Sequence, residues 1–444
     1  MSATAVGGAS MSLLMKMAVR GEKLVYRIGG LPVALRSSDG DRTCDTIRRA
    51  YAHAYWRPAR WDGYLEIAAA WLLWPIVAFI GPLWFTAKNG SAIRRRYGRG
   101  LVRQFLDQVR LFFTDGVVAP WYYIFELAKD PSSDRAELFL QRSETKAGIY
   151  PLLRRGVTTE LNNKKIFADY CAEKGVPCVP YLLFLDGSDP GEAKLPDCDL
   201  FVKPAGGRGG RGAERWDLVR PGIFSGPDVE KLGANELLGR LNERAKHRPL
   251  LVQRRINANP EVADLTAGAL PTVRVTTCLN EQGEPEVVGA VFRMAIGSNR
   301  TVDNLHAGGI AAGVDLEKGM LSAASNLGMD SRLGWLDRHP DTGAEIVGRA
   351  LPQWEEIKAL AIQAHRAFDD RVIVGWDIGV TEQGPLVVEG NSSPDLDIVQ
   401  RFDQPACATR LGSLLGWHLK QRGFVPNAKS SSSRVDAEKE PSAP

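Results

Sequence analysis

Residues 375–397 read GWDIGVTEQGPLVVEGNSSPDLD. Two apolar runs flank the polar turn Glu382-Gln383-Gly384, which predicts a pair of short strands. Asp377 lies on the first run, Glu389 and Asn391 on the second. Residues two apart on a strand share a face, so Glu389 and Asn391 project together if the strand continues that far. A hairpin can bring Asp377 opposite them. Two carboxylates and an amide oxygen form a hard, all-oxygen donor set. Magnesium takes such ligands alongside substrate phosphates. An ordinary hairpin with solvated acids has the same local pattern, and the stretch alone does not separate the two.

Upstream, residues 201–216 read FVKPAGGRGGRGAERW. Lys203 ends a strand-like run, and Gly206, Gly207, Gly209, Gly210 and Gly212 follow. Glycine lets the backbone approach a ligand and aim N–H groups at it. With Lys203, Arg208 and Arg211 nearby, the fitting ligand is a polyphosphate; a flexible surface loop is the alternative. The loop contains G-x-G-x-x-G, but AERWDLV after it reads as strand, whereas a dinucleotide fingerprint opens a helix. No Gly-Lys-Ser/Thr follows, so it is not a Walker A loop.

Between these stretches, PLLVQRRI at 249–256 reads as a strand. TVRVTTCLN at 272–280 and PEVVGAVFRMAIG at 285–297 read as a hairpin. Arg274 and Arg293 lie inside them. A charge within an apolar strand is costly unless it meets solvent or a partner. The segment GSNRTVDNLHAGGIAAGVD, residues 297–315, carries Asn304, His306, Gly308 and Gly309. His306 reads as a base, a hydrogen-bond donor or a structural histidine. Asp395 and Asp397 form a D-x-D pair, a weak two-residue pattern. G-x-S-x-G and H-E-x-x-H are absent.

The whole chain has 444 residues, with 56 Lys+Arg against 52 Asp+Glu. This length suggests two to four domains by the usual ~100–200 residues each. A net charge of +4, 24% charged and 44% hydrophobic residues exclude a disordered chain, a collagen and a polytopic transporter. The charge is too small to argue for nucleic acid. Cys44, Cys171, Cys178, Cys198, Cys278 and Cys407 form no CxxC pair and no zinc-like cluster, and read as reduced thiols. The first residues make a poor signal peptide.

One segment departs from the average. Residues 67–87, IAAAWLLWPIVAFIGPLWFTA, contain no charge, and Lys88, Arg94, Arg95, Arg96, Arg99 and Arg103 follow. A bilayer core needs about 20 apolar residues as helix, and tryptophans favour the interface. Pro75 and Gly81-Pro82 argue against a straight span. A kinked span, a re-entrant hairpin, an interfacial anchor and a buried soluble helix are the candidates. The expected organisation is an N-terminal region 1–60, a hydrophobic and helical region 61–145, a main α+β domain 146–426 and a disordered tail 427–444.

The ordered set VKPAGGRGG, PTVRV, VDNLHAGGI, GWDIGV and VEGN resembles the ATP-grasp superfamily, and more narrowly its sugar-transfer-associated branch. The resemblance implies an α+β fold in which two subdomains grip ATP, with Mg2+ as cofactor. By position, Lys165, beside Lys164, resembles the first nucleotide-binding lysine and Lys203 the strand lysine. Gly206–Gly212 resembles the phosphate lid. Gln253, Arg254 and Ile256 resemble the adenine hinge. Arg274 and Arg293 resemble phosphate and acyl-phosphate contacts, and Asp377, Glu389 and Asn391 the magnesium ligands. The implied activity is an ATP-dependent carboxylate–amine ligase acting through an acyl phosphate on a sugar- or glycan-linked substrate. Sugar-hydroxyl phosphorylation and a non-catalytic nucleotide-binding scaffold are the alternatives. The expected location is the cytoplasmic face of a membrane, or else the cytoplasm. No nucleic-acid partner is expected.

Overall fold

The computed structural model describes residues 24, 27–36, 42–154, 156–207, 210–227, 229–266, 268–297, 301–303, 305 and 308–424. His306, Asn304, Arg208, Gly209 and the tail from 425 lie outside the described residues. Helices lead the chain: α1 (Thr43–Trp56), α2 (Asp62–Tyr97), α3 (Leu101–Asp115) and α4 (Ala119–Ile124). Within α2, a π turn at Ile76–Ile80 separates Pro75 from Pro82. Each proline lacks the N–H that would bond one turn back. Locating the irregular turn between them keeps one continuous helix instead of a break.

Two antiparallel sheets follow. The first has the order β1-β6-β2-β3-β4-β5. It is built from β1 (Leu183–Leu185), β2 (Leu200–Pro204), β3 (Glu214–Arg220), β4 (Ile223–Gly226), β5 (Val229–Gly233) and β6 (Leu250–Arg254). Helix α5 (Lys164–Glu173) precedes it, and α6 (Ala234–Ala245) sits between β5 and β6. Leu237, Leu238 and Leu241 of α6 bury against Leu200, Val202, Phe224 and Val252. The second sheet has the order β10-β9-β8-β7-β11-β12. Its strands are β7 (Thr272–Leu279), β8 (Pro285–Met294), β9 (Ile310–Val314), β10 (Leu321–Ser325), β11 (Ile373–Thr381) and β12 (Gly384–Asn391). Helix α7 (Trp354–Ala367) covers one face. Its Ile357, Leu360, Ala361 and Ala364 share a core with Val273, Val275, Phe292, Trp376 and Ile378. Alternation along the strands explains the division of labour: Trp376 and Ile378 point into that core, so Gly375 and Asp377 take the opposite face.

The chain closes with α8 (Leu396–Arg401) and α9 (Arg410–Gln421). The N-terminal region is built into this body. Ile47 and Ala50 of α1 pack with Leu411, Leu414 and Leu415 of α9, and Arg48 pairs with buried Glu144 at 3.6 Å. The aromatic group after α3 is core: Tyr122, Tyr123 and Phe125 are almost wholly buried.

Candidate active site

The β11–β12 register sets Asp377 directly opposite Glu389 and Gly375 opposite Asn391. Ile378 then pairs with Val387, so one residue of β12 bulges out between them. On its other side, β11 pairs with β7 so that Asp377 faces Arg274. Glu389, Asp377 and Arg274 thus form one row across three strands. Arg293 on β8 lies diagonally off this row, paired with Thr272. No side chain fits at Gly375, where a Cβ would come within 2.8 Å of Pro394.

Asp377 is only 2% exposed. Arg274 donates to both its carboxylate oxygens, from Nη2 at 2.8 Å and from Nε. Arg293 Nη2 donates to Oδ2 at 3.0 Å. Burial opposes ionisation of Asp377, but the Arg274 and Arg293 guanidiniums outweigh it and hold the carboxyl down to about 2. Asp303, from the VDN segment, is a member that the sequence pattern did not single out. It is buried, accepts from Thr272 N at 3.0 Å and lies 3.3 Å from Arg293. Burial pushes its carboxyl above the usual range, against the pull of Arg293.

The first sheet supplies lysines. Lys203 on β2 is buried. Desolvation, and secondarily the neighbouring Lys164 ammonium, push it down to about 8, with Glu389 pulling the other way. Lys164 Nζ lies 3.6 Å from Glu389 and donates to the Gly207 carbonyl at 2.9 Å. Lys165 faces elsewhere. Its Nζ pairs with Asp169 at 2.7 Å and sits over the rings of Tyr181 and Phe184. Asn163 caps α5 by accepting from Lys165 N and Ile166 N. Adjacent residues in the first helical turn diverge by about 100°, so only one of the two lysines can face the second sheet. The structure selects Lys164 for this face, where the pattern had aligned Lys165.

The glycine loop joins β2 to β3 within the first sheet. Gly207 and Gly210 have φ of 108° and 68°, values that L side chains rarely adopt. A Cβ at Gly210 would press to 2.7 Å from Val302, so the loop from the first sheet touches a segment of the second. Arg248 donates to the Gly206 carbonyl. After β6 the chain crosses to the second sheet. Asn257 O accepts from Glu382 N, and Asn259 N donates to Val380 O at 2.9 Å. Gln253 is buried, with Nε2 donating to Val179 O and Pro180 O. Arg254 is exposed and Ile256 partly buried.

Asp377, Glu389 and Asn391 fit a magnesium ion by chemistry. The donors are oxygens, but Arg274 and Arg293 already bond both oxygens of Asp377, so an ion would share that carboxylate with them. Buried Asn391 Nδ2 has no hydrogen-bond partner among the described residues. Among the described residues no cluster of three His, Cys, Asp or Glu that could hold a metal ion exists. The D-x-D pair has a structural role instead. Asp397 is 2% exposed, accepts from Trp121 Nε1 at 3.2 Å and pairs with Arg142 at 2.9 Å. A cavity of about 280 Å3 adjoins the end of β12, lined by Tyr150, Arg154, Asn162, Arg371 and Ser392 among others.

No curated protein matches the chain. Among solved structures, it is similar to the D-alanine–D-alanine ligase of Coxiella burnetii, at 13% identity and a TM-score of 0.33, over 60% of each chain. It is similar to D-alanyl-alanine synthetase A of Vibrio cholerae at 14% and 0.34, over 59% of this chain and 64% of that one. It is also similar to the ATP-grasp ligase PsnB complexed with minimal precursor, Mg and ADP, at 15% and 0.30, over 59% of each. The chain thus spans about 60% of the length of these structures. The family model for sugar-transfer associated ATP-grasp matches residues 151–414, more than half of the sequence and the whole of both sheets. The chain belongs to the sugar-transfer associated ATP-grasp family.

Proposed function

We propose that the protein is an ATP-dependent carboxylate–amine ligase acting on a sugar- or glycan-linked substrate at the cytoplasmic face of a membrane. The observation that carries the reading is the row Glu389–Asp377–Arg274, with buried Asp377 and Arg293, and with Lys164 and Lys203 beside Glu389. Six charged groups converge there, and three of them, Asp377, Arg293 and Lys203, are buried, which strengthens their interactions. Lys203 and Lys164 bind phosphate oxygens. The Gly206–Gly212 loop offers backbone N–H groups and excludes water. Asp377, Glu389 and Asn391 would hold magnesium, which when bound supplies neutralisation of the phosphate charge.

In the proposed reaction a substrate carboxylate oxygen attacks the γ-phosphorus. The bond to the bridging oxygen breaks and ADP leaves. Arg274 and Arg293 steady the equatorial oxygens, with Asp377 fixing both guanidiniums in place. An amine then attacks the acyl carbon, phosphate departs and the amine gives up its proton. His306 is the proposed group for that proton. The cavity at Ser392, next to Asn391, is where the second substrate would sit. The family's sugar-transfer association supports a glycan-linked substrate.

The test is an ADP-release screen of purified protein against uronic acids paired with amines, with mass analysis of products. An amide and free phosphate are expected; a phosphorylated sugar would overturn the ligase assignment in favour of a kinase. Glu389→Ala is expected to abolish magnesium-dependent ADP release, and unchanged turnover would remove the metal assignment.

A further inference from the structure

Helix α2 presents the wrong face to the outside. Its exposed positions recur at helical spacing: Trp61 just before it, then Tyr64, Leu65, Trp71, Leu72, Ile76, Phe79, Ile80, Leu83 and Trp84. A surface helix of a soluble protein turns its polar side outward. Here the outward stripe is apolar from Trp61 to Ala87 and turns basic only from Lys88. Phe113 of α3 continues it, with its ring against those of Trp74 and Phe79. Fourteen of the twenty-one exposed large apolar side chains among the described residues lie between 61 and 113. Scattered exposed apolar residues are ordinary, but a contiguous patch of this size marks an interaction surface.

The same helix cannot cross a bilayer while the body keeps its shape. With 36 residues it is about 54 Å long at 1.5 Å per residue, and it is anchored to the body near its start, in its middle and towards its end. Near its start, Ile67 and Ala70 bury against Leu31, Val33 and Tyr55, and Glu66 pairs with Arg27 at 3.3 Å. In the middle, Ala78 packs on Phe112 and Val118, beside Trp121, which donates to Asp397 of α8. Towards its end, Asn89 Oδ1 accepts from Ser331 N at 2.9 Å, and Arg96 donates to Ser331 O. A span would carry these polar contacts into hydrocarbon.

We propose that α2 lies in the plane of one leaflet rich in anionic lipid, with its apolar stripe immersed and the ATP-grasp body held against the surface. Charge selects this occupant over a second copy or a protein partner. From Ile67 to Leu106 there is no acidic residue, against Lys88, Arg94, Arg95, Arg96, Arg99 and Arg103. Lys88, Arg94, Arg95 and Arg103 are exposed. A run of exposed cations beside an apolar stripe complements anionic headgroups over acyl chains. Lys88 Nζ sits 5.5 Å from the Trp84 ring, joining cation and interfacial aromatic at the point where the stripe changes character. This deepens the membrane association proposed above and is independent of the ligase chemistry.

The test is flotation of the full-length protein with vesicles of phosphatidylcholine alone and with 30% phosphatidylglycerol. The wild-type protein is expected to float with the anionic vesicles. Leu72→Glu with Leu83→Glu is expected to cut flotation at least tenfold, with an unchanged circular dichroism spectrum and melting temperature. Arg94→Glu with Arg95→Glu keeps the stripe and is expected to remove the anionic preference. Equal flotation of wild type and both variants would overturn the proposal, as would a dimer by size exclusion that dissociates in the Leu72/Leu83 variant while wild type ignores vesicles. In expressing cells, Arg57→Cys and Arg103→Cys, on either side of α2, are both expected to react with an impermeant maleimide only after permeabilisation. Labelling of one of them in intact cells would establish a span instead. Because flotation and labelling do not read turnover, a failure here leaves the ligase assignment standing, and the reverse also holds.

Discussion

Asp377 is 2% exposed and Leu72 is 78% exposed. Each inverts the usual distribution, in which carboxylates face water and leucines do not. On the second sheet, a carboxylate and two guanidiniums are taken out of water and satisfied by one another. On α2, apolar side chains are left in water, uncovered by any of the described residues. The first inversion is closed within the protein and the second is not. Buried charge is tolerated where partners are in hydrogen-bond range, so the site can be assembled in advance of its ligand. Exposed hydrocarbon finds no such partner among the described residues, and the proposed leaflet would supply one.

The comparison can be broken at its charged end first. Asp377→Asn leaves Arg274 and Arg293 buried beside a neutral amide. Breaking a buried pair costs about 3–5 kcal/mol, so a drop of that order in unfolding free energy by urea titration is expected, together with loss of turnover. A stability change below about 1 kcal/mol would mean that solvent reaches the row.

A smaller effect is expected from the lysines. Lys164→Ala should weaken ATP binding about tenfold or more, the scale of one lost charge-assisted contact, while Lys165→Ala should change it less than about twofold. Equal losses measured by calorimetry would return the role to both. The pH dependence follows from Lys203. With its pKa at about 8, it is cationic below that value and neutral above. Nucleotide affinity should be full below pH 8 and fall by up to about tenfold per unit above it. Lys203→Arg stays charged and should flatten that decline, provided the larger side chain fits. A flat wild-type profile from pH 7 to 9.5 would show that Lys203 does not pair with phosphate.

The smallest effect is expected at the apolar end. Leu72→Gln faces solvent in the free protein, so its unfolding free energy should shift by no more than about 0.5 kcal/mol. A loss of more than about 2 kcal/mol would mean that Leu72 is covered in solution, and the contrast with Asp377 would then disappear.

Much of the second sheet was legible in the sequence. The runs at 272–280, 285–297 and around the 382–384 turn became β7, β8 and the β11–β12 pair, because alternation and turn residues act over a few positions. That Glu389 and Asn391 share a face follows from the period of a strand. That Asp377 stands opposite Glu389 depends on a register carrying a bulge, which nothing in the turn announces. Asp303 was hidden for a related reason. It sits in an irregular segment, and only its docking on Thr272 and Arg293 brings it into the site.

By itself the sequence determined the order of elements, the two-sheet class with its glycine loop and lysine, and an uncharged stretch long enough for a membrane. These are local properties of composition and period. Only the tertiary structure decided which of Lys164 and Lys165 meets Glu389, which carboxylates share Arg293, and which side of α2 looks outward. A helix that is apolar all round carries no instruction about its orientation. Packing of Ala70, Ala78 and Phe85 against the body supplies it, and those contacts join residues far apart in the chain.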